Sequence, residues 1–206
     1  TNGTVFCVKD SYPKLIQNNI DPYACVILDP RPIDGISTHG VLRKDLFDVV
    51  DSKTKFLVAS MTDVSVTKYL LDKTDQVYGW HAFSEAVQKA ANGKAEIDKK
   101  VNIPPDTTFV TGGTCSAMRA IGMTHILGFR NFHLFGFDCN IPEVTEEMEK
   151  EKTEDGKKKY MKVETGGKHF WTTGELLAMA QDCERLFNNK DIEMNLTLYG
   201  DNTLVS

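Results

Sequence analysis

Short apolar runs, each followed by a stretch of helical periodicity, recur along the whole of this sequence, and no other feature constrains its fold as much. Val5-Phe6-Cys7-Val8 leads into a helical pattern from Tyr12 to Asn18, with Pro13 where the first turn of a helix tolerates it. Ala24 to Leu28 is a second run, closed by Asp29-Pro30-Arg31-Pro32, and Lys55 to Ala59 is a third. Asp63 then reads as the cap of a helix that carries Val66, Tyr69 and Leu70 on one face. Gln76-Val77-Tyr78 is a shorter fourth strand, followed by a helix from about Ser84 to Ala91. Thr107 to Val110 is a fifth strand feeding Thr111-Gly112-Gly113-Thr114, and the helix from there to Leu127 is apolar on nearly all sides. Asn131 to Phe135 is the sixth, ending at Gly136-Phe137-Asp138. A helix from Gly174 to Phe187 groups Leu176, Leu177, Ala180, Cys183 and Phe187 on one side, and Met194 to Leu198 forms the last strand.

Strands that are apolar throughout and alternate with helices specify a mainly parallel sheet with helices on both faces, a Rossmann-like α/β architecture. With 206 residues, 41% of them hydrophobic, the chain reads as one domain, 1–206, with a substantial core. One stretch breaks the rhythm. Glu143 to Lys159 is dense in Glu and Lys around Asp155-Gly156, and reads as a solvated, partly disordered insertion or as a mobile lid over a site.

The 24 basic residues are outnumbered by 29 acidic ones, a net charge of −5, which speaks against a nucleic-acid partner. The five cysteines (Cys7, Cys25, Cys115, Cys139 and Cys183) are scattered without a C-x-x-C pair. They read as reduced, mostly buried small hydrophobes, not as a disulfide framework or a zinc site. No segment is apolar over a bilayer-spanning length and no signal peptide is visible, so the expectation is a soluble, cytoplasmic protein. A homo-oligomer is left open.

In an open α/β sheet, ligands bind outside the carboxyl ends of the strands. Gly112-Gly113-Thr114, with Ser116, is the most informative such junction. Two glycines let a backbone approach a ligand, and a helix start offers unpaired N–H groups to phosphate. A tight turn capped by Thr114 is the competing account. Asp29 and Asp138 each end a strand, where a carboxylate can hold Mg²⁺ or ribose hydroxyls, or simply form a turn. Arg31, stiffened between two prolines, is placed to pair with a phosphate. Trp80 and His81, just past the fourth strand, can stack on a base or ribose, or simply pack in an exposed loop. His169, in Gly166-Gly167-Lys168-His169-Phe170-Trp171-Thr172-Thr173, is a candidate general base beside the charged stretch. His125 and His133 fall inside a helix and a strand and read as structural.

Gly112-Gly113-Thr114-Cys115-Ser116-Ala117, followed by the run from Leu127-Gly128-Phe129-Arg130 to Phe135-Gly136-Phe137-Asp138, resembles the core signature of MptE-like proteins. Lys14-Leu15-Ile16, Ile20-Asp21-Pro22-Tyr23, Leu28-Asp29-Pro30, Val77-Tyr78-Gly79-Trp80-His81 and Gly167 to Thr173 fit the same pattern in outline. The resemblance implies a Rossmann-like domain related to archaeal 6-hydroxymethyl-dihydropterin diphosphokinase, which moves a diphosphate from ATP to a pterin alcohol with Mg²⁺. It implies kinship, too, with flagellin-modifying glycosyltransferases and with sialyltransferases that use CMP-sugars. Carried onto this chain, it makes Gly112, Gly113 and Thr114 nucleotide contacts, Asp138 a polar anchor and His169 a candidate base. Family members also carry a Gly-x-Gly-Pro-Ser loop upstream of the region that begins here. Either the native chain extends before Thr1 or that phosphate contact has been lost. Three functions follow as expectations: a nucleotide-dependent diphosphokinase-like transferase, a nucleotide-sugar glycosyltransferase, or a non-catalytic nucleotide-binding domain.

Overall fold

A strand covered on both sides needs apolar side chains at successive positions, and Ala24-Cys25-Val26-Ile27 supplies four, each fully buried. In the computed structural model, which describes residues 3–34, 40–83, 107–113 and 115–200, this segment is strand β2 (Ala24–Ile27) of a five-stranded sheet. With β1 (Phe6–Val8), β3 (Lys55–Ala59), β4 (Val77–Ala82) and β5 (Phe109–Val110) it runs in the order β1-β2-β3-β4-β5. Every neighbouring pair is parallel, as a Rossmann-like α/β fold requires. The sequence reads as one domain; the contacts divide the chain into two compact units, Thr1–Gly112 with this sheet and Gly113–Ser206.

Strands laid down side by side in sequential order, joined by right-handed crossovers, send their connections to one face. Register places Cys7, Cys25, Phe56 and Val77 in one row on that face, and Ile27 and Val58 in the next. Helices α1 (Tyr12–Gln17) and α2 (Val64–Leu71) and the 3-10 turn Lys44–Phe47 bury Tyr12, Leu46, Phe47, Val66 and Leu70 against these rows. All the described helices of this unit therefore cover one face of the sheet, where helices on both faces are expected from the sequence. The expected helix from Ser84 to Ala91 lies outside the described residues. Asp63 caps α2 as its position suggests, accepting from the Ser65 N–H at 2.9 Å, a contact that contributes about 1 kcal/mol.

In the second unit, β6 (Asn131–Phe135) and β9 (Asn195–Tyr199) pair in parallel. Alternation sends Phe132, Leu134, Leu196 and Leu198 into a core with α3 (Ser116–Ile126) and α4 (Gly174–Phe187). Helix α3 is less enclosed than its composition suggests: Met118 and Ile121 are buried, but Ile126 and the following Leu127 are 58% and 59% exposed. Between these elements lies a hairpin that sequence reading passes over, β7 (Tyr160–Thr165) and β8 (Lys168–Thr173). Its two-residue turn is Gly166-Gly167, at φ +56° and +72°, the conformation a type I′ turn demands of both central residues. The charged stretch before it is a locally bonded loop. Lys152 and Lys158 form an antiparallel bridge, and Lys159 pairs with Glu151 at 2.8 Å.

Candidate functional site

Three strand ends of the first unit meet in one polar network. β1 runs out into Lys9, β2 into Asp29 and Arg31, and β3 into Thr62 and Asp63. Asp29 is the hub. Arg31 donates to it from Nε at 2.9 Å and from an Nη at 2.8 Å, a bidentate fork, and the Arg31 backbone N–H adds a third bond at 3.0 Å. The Lys9 ammonium lies 2.9 Å from the same carboxylate and 2.7 Å from Asp10. The backbone joins in as well. The Asp29 N–H donates to Thr62 Oγ1, the Asp63 N–H donates to the Asp29 carbonyl, and the Ile33 N–H donates to Ser65 Oγ. Lys9 and Asp29 keep only 9% and 8% of their side-chain exposure, whereas Arg31 keeps 39%. Burial pushes the Asp29 carboxyl upward, but the hydrogen bonds from Arg31 and Lys9 outweigh it and hold its pKa at about 2.

From the sequence Asp29 is a candidate ligand of Mg²⁺ or of ribose hydroxyls, or a turn former. Both its oxygens already serve cations, so it orients Arg31 and Lys9. Arg31 is at a strand end and half-exposed, as a phosphate contact needs to be. Lys9 carried no local signal of its role, because a lysine after a short apolar run looks like any solvated residue.

Trp80 and His81 move from the loop where sequence reading puts them. β4 extends to Ala82, so both lie within the strand, not beyond its carboxyl end. The Trp80 indole N–H donates to the Leu57 carbonyl at 3.0 Å, and the His81 ring rests 6.1 Å from that of Phe109.

In the second unit, Gly113 has a backbone reason for being glycine and a close neighbour beside it. It sits at φ +67°, and a Cβ there would lie 2.9 Å from Asp182 Oδ2 and 3.3 Å from Met118 Cβ. The space beside this turn is filled by an α4 carboxylate, a poor neighbour for phosphate. Gly112, at φ +126°, also takes a conformation that suits glycine. Ser116 is the first residue of α3 and Cys115 is its cap residue, while Thr114 lies outside the described residues. Gly113→Ala is expected to cost about 2–3 kcal/mol, from left-handed backbone strain plus the displaced neighbours. Gly128, at φ +98° with open space around it, supplies the control, since Gly128→Ala meets the backbone cost alone. Urea denaturation of the two variants separates the terms, and equal losses would remove Asp182 from the explanation.

Asp138 follows β6 in a loop with two left-handed residues, Gly136 at φ +69° and Cys139 at φ +55°. It is half-buried, and no described residue donates a hydrogen bond to its carboxylate. His169 lies on β8 opposite Glu164, with Nδ1 3.9 Å from Glu164 Oε2, and is 58% exposed. It borders a shallow groove with Asn140, Ile141, Pro142, Lys168, Phe170 and Trp171, which Asp138 does not line. His125 and His133 make exposed contacts within the unit, Nε2 of the first 3.3 Å from the Glu193 carbonyl and Nδ1 of the second 2.8 Å from the Tyr199 hydroxyl. All five cysteines are free thiols, and burial pushes Cys139 up to about 12 and Cys183 to about 11, so neither is a ready nucleophile.

Among the described residues, no three His, Cys, Asp or Glu side chains converge as a metal cage. Nor is any described helix long and apolar enough to cross a membrane. Comparison with family models, with curated proteins and with solved structures finds no match to this chain.

Proposed function

We propose that this chain is a nucleotide-dependent transferase whose ligand lies along the carboxyl edge of β1, β2 and β3. The observation that carries the proposal is the convergence of three strand ends on one ion-paired network, with the Arg31 guanidinium held toward solvent by Asp29. Polar groups gathered at the carboxyl edge of a parallel sheet are the usual setting for nucleotide binding. The resemblance to MptE-like proteins makes transfer of a diphosphate from ATP to an alcohol the first chemistry to test. Mg²⁺ commonly takes one or two protein carboxylates and completes its shell with phosphate and water. Asp138 belongs to the second unit, and on the resemblance alone it is proposed as such a carboxylate or as the acceptor of the proton of an attacking hydroxyl. That residues 143–159 act as a lid is proposed from their charge and their place in the sequence alone.

A glycosyltransferase using a nucleotide sugar is the second proposal, with the exposed His169, whose Nδ1 lies 3.9 Å from Glu164 Oε2, as the base that deprotonates the acceptor. Melting curves with ATP, GTP, CMP-sugars and UDP-sugars, with and without Mg²⁺, test the common premise. One nucleotide class is expected to raise the Tm in proportion to its occupancy. If none does, nucleotide binding is wrong. Turnover then separates the chemistries. Asp138→Asn is expected to be the crippling variant of a diphosphokinase-like enzyme. In a glycosyltransferase it is His169→Ala, with a loss of about 10²–10⁴-fold. Variants that both turn over at the wild-type rate overturn both residue assignments, and a protein that binds a nucleotide with no turnover at all is a non-catalytic binder.

A further inference from the structure

We infer that Lys9 and Arg31 form a clamp for a diphosphate group, with Asp29 as the resident anion that keeps the two cations in place until it arrives. This rests on the nucleotide reading for its biological source, but the clamp itself is a matter of charge and geometry. Two cations from neighbouring strands converge on one carboxylate at 2.8 and 2.9 Å. Only part of their donor capacity is used. A lysine ammonium has three N–H groups, and those of Lys9 reach Asp10 and Asp29; a guanidinium has five, and Arg31 gives Nε and one Nη to Asp29. No described residue accepts from the other Nη of Arg31, and the half-exposed guanidinium leaves it open to a ligand.

A lysine with 9% of its side chain exposed is costly to bury merely as a surface ion pair. Its place at the end of β1, beside the proline-flanked Arg31 at the end of β2, aligns two positive groups along the strand-end edge. Because both nitrogens contact the same Asp29 oxygen, at 2.9 and 2.8 Å, they lie close enough together for each to take one phosphoryl group of a bridged pair. Asp10 is 69% exposed on its side chain, so it can turn away to solvent and release the ammonium. Asp29 cannot, being buried, and stays as the hinge that orients both donors.

Calorimetry with inorganic pyrophosphate, ATP and a UDP-sugar, on the whole chain at low and moderate salt, tests the clamp. Pyrophosphate is expected to bind the wild type, more weakly as salt rises. Arg31→Ala, in preparations shown by circular dichroism to be folded, is expected to weaken it at least tenfold. Arg31→Lys keeps the charge but not the fork, and is expected to fall between the two. Asp10→Asn removes a carboxylate that competes for Lys9, and is expected to bind pyrophosphate more tightly than the wild type. An Arg31→Ala protein that binds pyrophosphate and ATP as the wild type does would overturn the clamp and leave the nucleotide proposal standing. Pyrophosphate binding that depends on Arg31, with no nucleotide bound more tightly than pyrophosphate alone, supports the clamp and sinks the nucleotide proposal. Absence of any pyrophosphate or nucleotide binding overturns both.

Discussion

Asp29→Ala is expected to destabilise the protein by about 3–5 kcal/mol, because truncation leaves the buried Lys9 ammonium and the Arg31 fork without their shared carboxylate. The wild-type interaction is also a pH dependence. The folded carboxyl has its pKa lowered from 3.8 to about 2, so its contribution to stability is fully present above the unfolded value. That contribution falls away as the pH drops from about 4 through about 2. Denaturant titrations of the wild type between pH 6 and pH 2 should show this loss, while Asp29→Ala should lack that component. A variant as stable as the wild type, with the same acid dependence, would mean that the network at the strand ends contributes nothing net.

Phe56→Ala is expected to cost a similar amount, about 3–5 kcal/mol. Phe56 is fully buried in β3, with the Tyr12 ring 5.2 Å away at 69° and the Phe47 ring 6.2 Å away at 83°. Removing it opens a cavity beneath α1 and the Lys44–Phe47 turn, and the two remaining rings lose their edge-on partner. Neither is free to collapse into the gap. The Tyr12 hydroxyl accepts the Asp51 N–H at 2.8 Å, and the Phe47 carbonyl accepts from Lys73 at 2.8 Å. Phe135→Ala, at a site 73% exposed, should cost less than about 1 kcal/mol by comparison. Equal urea midpoints for the two variants would show that the aromatic cluster is not the centre of the first unit's core.

Periodicity alone was enough to locate most of the elements. The helix from Gly174 to Phe187 is bounded as its apolar face implies, and β3 spans Lys55–Ala59 as its composition indicates. In both, the local pattern and the tertiary environment ask for the same conformation, so nothing competes. The hairpin of β7 and β8 escaped the sequence reading although Gly166-Gly167 stands between two β-rich runs, because the charged residues just before it obscured the signal. β4 was cut short because Gly79 and polar His81 weaken a strand pattern, and pairing with β3 and β5 overrides that weakness.

The candidate site was legible only in part, for a reason that lies in distance along the chain. Asp29 and Arg31 advertise themselves locally, as polar residues that close an apolar run between prolines. Their meaning depends on Lys9, which reaches Asp29 only because β1 and β2 pair in parallel with Val8 opposite Val26. Gly113 makes the same point. A glycine pair before a helix suggests a phosphate turn, yet the atom beside Gly113, which is itself at φ +67°, is a carboxylate oxygen of Asp182 on α4. Residue types and their periods set the strands, the helices and the parallel class, because backbone preference and amphipathic spacing act over a few residues. Which charges neutralise one another, and which glycine makes room for which side chain, came from strand register and helix packing, because those contacts join residues that the chain itself keeps far apart.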